Sequence, residues 1–155
     1  FTVKSEEIYI NGLNSKLITS DSNMFSNGEI MLNNKNGKFN LEGDKSSLSS
    51  NNIIIEGNYI DGKFSTNKNT KEVIFLEVID KNVAYINTNN TEMYADLIKY
   101  KKETSIIELE NNVKIIRDGE TIIGDYGNLN MNTNSYKVKS KESKKVKVII
   151  SNQDE

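Results

Sequence analysis

The sequence predicts an all-β protein, a meander of many short antiparallel strands with little or no helix. Three observations carry this expectation. First, apolar and charged residues alternate between Thr91 and Ile150: Ile107, Leu109, Val113 and Ile115 share one parity, and Glu108, Glu110 and Lys114 take the other. That is the period-two pattern of a strand with one dry and one wet face. Second, turn signals separate such runs, as in Arg117-Asp118-Gly119-Glu120 and Asn132-Thr133-Asn134, where Gly and Asn tolerate the positive φ of a tight hairpin. Third, no segment sustains a helical apolar period. The best rival, Glu92 to Tyr100, loses its stripe in the polar run Lys99 to Thr104.

Taken in order, Phe1 to Ile10 reads as a first strand, and Asn11-Gly12 is a hairpin signal. Lys16 to Phe25 is a second strand, ended by Ser26-Asn27-Gly28. Glu29 to Leu32 is a third, followed by a turn over Asn33 to Gly37. Phe39 and Leu41 begin a fourth, and Leu48 gives Ser46 to Asn52 strand or edge character. Ile53 to Ile60 is a strand that Asp61-Gly62 is expected to reverse, so that Lys63 to Thr66 pairs back. Asn67 to Thr70 is a polar break. Lys71 to Asn87 is apolar on both parities around Val73 to Ile79, as in a central strand, with a turn at Asp80-Lys81-Asn82. Thr121 to Met131 carries the chain out of the Arg117 turn. Tyr136 and Val138 alternate with Lys137 and Lys139, and Val146, Val148 and Ile150 with Lys145 and Lys147. A small residue followed by Asp recurs at Ser20-Asp21, Gly43-Asp44, Ala95-Asp96 and Gly124-Asp125. A two-strand unit of about 25 residues, repeated, suits stacked hairpins.

A chain of 155 residues is long enough for one domain with a true core. The hydrophobic share is 35% and the mean hydropathy is -0.59, values that raise disorder as an alternative. The regular alternation argues against it. Asn, Lys, Ile and Ser dominate and Pro is absent, a bias that AT-rich coding explains without reference to function. The formal net charge of -2 excludes electrostatic capture of nucleic acid over the whole surface. With no Cys and no His, disulfides, thiolate sites and the commonest general base and metal ligand are all missing. The Gly-x-Ser-x-Gly elbow, the P-loop and the dinucleotide fingerprint are absent too. No apolar run reaches the roughly 18 residues of a membrane span. The chain begins at Phe1 rather than Met, which fits an export signal or anchor trimmed from it.

The order of short motifs in the last sixty or so residues resembles the OstA-like domain of the LptA family. The motifs are Ala95-Asp96 with Tyr100, Glu110-Asn111-Asn112-Val113, Asp118-Gly119, Gly124-Asp125 and Tyr136-Lys137-Val138. Asn111 stands where the family pattern has Gly, and Asn is the other residue that visits left-handed backbone readily. The first ninety residues depart from the pattern. The resemblance implies a single elongated antiparallel β-jelly roll over residues 1–150, with 151–155 a frayed tail. It also implies a non-enzymatic periplasmic carrier, without cofactor or metal. Such a carrier holds the acyl chains of lipopolysaccharide (lipid A) inside, passes them towards the outer membrane, and stacks end to end by strand pairing. The partners implied are lipopolysaccharide, other lipopolysaccharide-transport jelly rolls at the inner and outer membranes, and further copies of the chain, but no nucleic acid. The sister family, the membrane-anchored LptC type of relay, is the alternative; a hydrophobic helix upstream of Phe1 would favour it.

Three sets of residues are the candidates for function. Ile107, Leu109, Val113, Ile115, Ile123, Leu129, Tyr136, Val138, Val146 and Val148 are expected, with Ile150, on one face of the sheet. That face is either an ordinary closed core or, as the resemblance implies, an interior that admits acyl chains, each buried CH₂ contributing about 0.8 kcal/mol. Lys137, Lys139, Lys145 and Lys147, with Lys141 and Lys144, are opposed only by Glu142. They are expected either as a solvated edge or as contacts for anionic headgroups. Asp96 and Asp125 form the one carboxylate pair that a jelly-roll glycan hydrolase could use, although an Asp beside a small residue more often satisfies backbone donors. A surface β-solenoid with a dry core is the remaining alternative. The chain ends, Phe1 to Ile10 and Lys144 to Ile150, are the expected docking edges.

Overall fold

The structure is a computed structural model that describes residues 2–4, 6–66 and 71–150. It contains β1 (Thr2–Lys4), β2 (Glu7–Asn11), β3 (Ser15–Ile18), β4 (Ser22–Ser26), β5 (Glu29–Asn33), β6 (Lys38–Ser50), β7 (Ile53–Phe64), β8 (Val73–Thr88), β9 (Thr91–Lys101), β10 (Ile106–Arg117), β11 (Glu120–Asn130), β12 (Ser135–Lys139) and β13 (Lys147–Ile150). All belong to one antiparallel sheet of order β1-β2-β5-β6-β7-β8-β9-β10-β11-β12, with β4 and β3 added beside β6 and β13 beside β11. The described residues contain no helix, and the Glu92 to Tyr100 segment is strand β9.

Several strands are longer than the turn signals suggested. From β6 to β11 they run 11 to 16 residues, so "many short strands" holds only for the two ends of the sheet. Asp61-Gly62 does not reverse the chain: β7 runs through it, with Gly62 paired to both Phe39 and Leu76. Gly62 is there for space, because a Cβ would overlap the Phe39 ring. Asp80-Lys81-Asn82 lies within β8, and the Asp80 carboxylate accepts from the N–H groups of Asn82 (2.7 Å) and Val83 (3.2 Å). Phe1 to Ile10 and Lys16 to Phe25 each divide into two strands, whereas Phe39 to Ser50 is continuous. The expected break over Asn67 to Thr70 and the tail 151–155 lie outside the described residues.

The long strands are bent. Pairing slips between Glu42 and Ser46, between Glu56 and Tyr59, between Ile79 and Ala84, and again beyond Glu110. These bulges line up across the sheet as one fold line. Gly43-Asp44, Ala95-Asp96 and Gly124-Asp125 all stand on it, and so do Gly57-Asn58 and Asn111-Asn112. Three of the four small-Asp pairs therefore mark the place where successive strands bend. Ser20-Asp21 instead lies in the turn between β3 and β4. The bend demands left-handed backbone at Asn111 and Asn112 (φ 60° and 53°), and it crowds the strands. A Cβ on Gly57 would lie 2.6 Å from Val78 Cγ1. Beside the line, buried Ser26 and Ser46 hydrogen-bond each other (2.9 Å), and Ser46 Oγ donates to the Gly43 carbonyl (2.8 Å).

The bend divides the sheet into two wings that face each other. A straight β7 would hold its ends about 36 Å apart. Yet Asn51, just before β7, donates through Nδ2 to the Lys71 carbonyl (3.3 Å), close to the far end of the same strand. Ladder pairing places directly opposed residues on one face, so the inner face of each wing can be read rung by rung. In the first wing Leu17, Met24, Leu48, Ile55, Ile86, Met93, Ile115, Ile122 and Val148 form one row. In the second wing one row is Ile8, Leu32, Phe39, Gly62, Leu76, Tyr100, Ile107, Leu129 and Tyr136, and another is Ile10, Ile30, Leu41, Ile60, Val78, Ile98, Leu109, Gly127 and Val138. The middle of each row is buried, and the outermost members are half-buried or exposed.

Candidate functional site: the apolar interior and its rim

The three rows make an interior that is apolar along the full run of the sheet. Of the residues expected there, Ile107, Leu109, Val113, Ile115 and Leu129 are buried, and Tyr136 and Val138 pack half-buried against them. Four placements differ from the expectation. Ile123 is opposite Lys114, and it is Ile122 that stands opposite Ile115. The bulge at Asn111-Asn112 shifts the register, and a shift of one residue exchanges the two faces. Val146 precedes β13 and is 39% exposed. Val148 joins the inner row, but at its end, and is 54% exposed; Ile150, at the end of the chain's last strand, is 67% exposed. The first ninety residues contribute as much to the interior as the last sixty, through Met24, Leu41, Leu48, Ile55, Ile60 and Ile86. The alternation of Phe39 and Leu41, and of Ile53 and Ile55, was the signal that could have identified them.

The wings meet along a rim made of strand ends and turns. Ser50, Ile53, Thr88 and Asn89 from one wing and Glu72, Val73, Tyr100 and Met131 from the other line a cavity of about 330 Å³ between them. It lies beside Tyr100, a member of an inner row, whose phenol is pushed above its ordinary pKa by burial first and then by Glu72. Among the described residues, the polar contacts that cross the rim include Asn51 to Lys71, a weak approach of Asn89 Nδ2 to Met131 Sδ (3.8 Å), and a clasp built on Arg117.

Arg117 ends β10 in the first wing. Its Nε donates to Thr91 Oγ1, its Nη1 to the Asn134 carbonyl and its Nη2 to Asn134 Oδ1, each at 2.6 Å. Asn134 lies in the turn before β12, in the second wing. The guanidinium also sits 5.1 Å from the Tyr136 ring centroid, and the Tyr136 hydroxyl donates to Glu120 (3.2 Å). Burial first, and then that hydrogen bond to Glu120, push the Tyr136 phenol above its ordinary pKa. Hydrogen bonds to a charged group contribute about 1.5–3 kcal/mol each where they are shielded, and less where exposed. Arg117→Ala is therefore expected to cost about 2 kcal/mol of stability. It should also speed amide exchange at Asn89 to Thr91 and at Met131 to Ser135 more than at Ile55 or Ile86. Uniform acceleration across the sheet would show that Arg117 does not hold the rim.

Asp96 and Asp125 stand on β9 and β11, one on each side of β10. Each carboxylate has a partner that fixes the local backbone or its neighbour. Asn112 Nδ2 donates to both Asp96 oxygens (3.1 and 3.0 Å). Asp125 accepts from the Lys141 N–H (2.8 Å) and pairs with Lys144 (3.8 Å). Lys137, Lys139, Lys145 and Lys147 are exposed at the last edge of the sheet. Lys139 and Lys147 pair with Tyr126 and Ile123, on the outer face. On that face a separate cleft of about 710 Å³ follows the fold line beside Asp44, Gly57 and Asp80.

This bent antiparallel jelly roll is an LptA-like fold. The likeness is to the crystal structure of LptH, the LptA homologous periplasmic component of the conserved lipopolysaccharide transport device from Pseudomonas aeruginosa. The TM-score is 0.62, the sequence identity 14%, and the match covers 94% of this chain and 95% of that one. No family model matches the sequence, and no curated protein does.

Proposed function

We propose that this chain is a periplasmic carrier that holds the acyl chains of lipopolysaccharide between its two wings and hands them on without catalysing a reaction. The observation that carries the reading is the set of unbroken apolar rows, reaching half-buried or exposed members at both ends of the sheet. A core that served stability alone has no need to stay apolar out to Leu17 and Val148. The facing rows of the two wings are apolar and pack into one core, so acyl chains can replace one wing's side chains against the other's. The exchange keeps apolar area out of water, at about 25 cal/mol per Å². The likeness of the fold to a lipopolysaccharide-transport component supports the same cargo and compartment.

End-to-end stacking belongs to the same reading. β6 and β11 each carry two different partners on their outer edge, β5 with β4 and β12 with β13, so each wing ends in a strand edge at both ends of the molecule.

The test is photocrosslinking with a photoreactive phenylalanine derivative at Tyr100, on an inner row beside the rim cavity, and separately at Tyr9, on the outer face at the other end of the sheet and 38% exposed. The expected result is a lipopolysaccharide adduct at Tyr100 and none at Tyr9. An adduct at Tyr9 alone, or none at either position, would sink the carrier reading.

A further inference from the structure

The last edge of the sheet combines features that neither the interior nor strand pairing uses. Lys137, Lys139, Lys141, Lys144, Lys145 and Lys147 are all exposed, and Glu142 is the one acid among them in sequence. Large apolar side chains are exposed between and beside them: Tyr126 at 44%, Val146 at 39%, Ile149 at 42% and Ile150 at 67%. Lys137 pairs with Asn128 and Lys139 with Tyr126 on the outer face of the second wing, Lys147 with Ile123 and Ile149 with Thr121 on the outer face of the first, and the segment 140–146, with Lys141, Lys144 and Lys145, joins the two wings along the edge. Lys114 belongs to the same row as Lys147 and Ile123. Among the described residues, the acids that face this surface are few. Asp125 already holds the Lys141 N–H and Lys144, Glu120 accepts from Tyr136, and Glu108 and Glu110 lie one strand further in.

From this geometry we infer that the C-terminal edge is a docking surface for an anionic phospholipid bilayer. Clustered lysines are drawn to a negatively charged membrane surface, and the attraction accumulates with each Lys near it. Long lysine stems and neighbouring Ile, Val and Tyr side chains can then enter the interfacial layer while the ammonium groups remain at the headgroups. A protein partner reading charge alone would leave the exposed Ile149 and Ile150 in water, and single-stranded nucleic acid would need more aromatic platforms than Tyr126. Lys137, Lys139, Lys147 and Ile149 lie outside the interior rows, so this inference stands whether or not the chain carries lipid.

The experiment is co-sedimentation of the full chain with vesicles of phosphatidylcholine alone or with added phosphatidylglycerol, free of lipopolysaccharide. The chain is expected to sediment with the anionic vesicles, not with the neutral ones, and to be released by salt as the charges are screened. Inorganic phosphate at matched ionic strength should not release it. The triple variant Lys139→Gln, Lys145→Gln, Lys147→Gln is expected to bind about a hundredfold more weakly. Tyr126→Ser with Ile149→Ser should weaken binding about tenfold or more. All five positions are exposed, so the fold should survive. Equal binding to neutral vesicles, no binding to either, or a triple variant that binds as well as the parent would overturn the proposal. So would a triple variant that changes only the size of the particle in solution, because the lysines would then serve contacts between copies.

Discussion

Phe39→Ala is expected to lower the free energy of unfolding by about 3–5 kcal/mol, the range for removing a buried aromatic ring. Phe39 is fully buried, and its ring centroid lies 4.6 Å from that of Phe64, at the opposite end of β7 from the β6–β7 turn. It sits in the middle of an inner row, between Leu32 and Gly62. Neighbouring strands are held in place by their own ladders, so the space left by the ring cannot collapse. In urea the midpoint should fall while the slope stays constant, because the surface exposed on unfolding hardly changes. An unchanged midpoint would mean that the second wing is not packed as described.

Gly62→Ala is expected to cost about 3 kcal/mol, at the upper end for overpacking a core. Its Cβ would overlap the end of the Phe39 ring and lie 2.8 Å from the Phe75 carbonyl oxygen. The ring is trapped against Phe64, and the carbonyl is main chain, so neither can yield cheaply. The two substitutions should not add. With Phe39 reduced to Ala, the new methyl enters the vacated space, and the double variant should be more stable than the sum of the two losses predicts. Strict additivity would show that the two positions do not touch.

These two residues also show where the sequence could be read and where it misled. The all-β class, the turns at Asp118-Gly119 and Asn132 to Asn134, and the inward parity of Ile107, Leu109, Val113, Ile115 and Leu129 follow from alternation and turn chemistry. Those are local signals. Asp61-Gly62 carries the same local signal as a hairpin, but its glycine answers a contact with Phe39, which is distant in sequence. Ile123 was misplaced because two left-handed asparagines on the neighbouring strand change its register. Gly43-Asp44, Ala95-Asp96 and Gly124-Asp125 were visible as a faint repeat, but only pairing across the sheet reveals them as a shared bend. Arg117 was legible as part of a turn; its reach to Thr91 and Asn134 depends on the wings facing each other.

The two-partner edges of β6 and β11 turn the sheet into a ruler. Everything between them is a succession of bent strands of the same kind, each paired only with its neighbours along the sheet. A further bent hairpin inserted there would lengthen the interior by about 10 Å, two strand spacings, without disturbing either end. The length of the apolar interior is thus encoded in the number of bent strands and is independent of the chemistry at its ends. Interior length and terminal chemistry can therefore diverge separately, since a change in one requires no compensating change in the other.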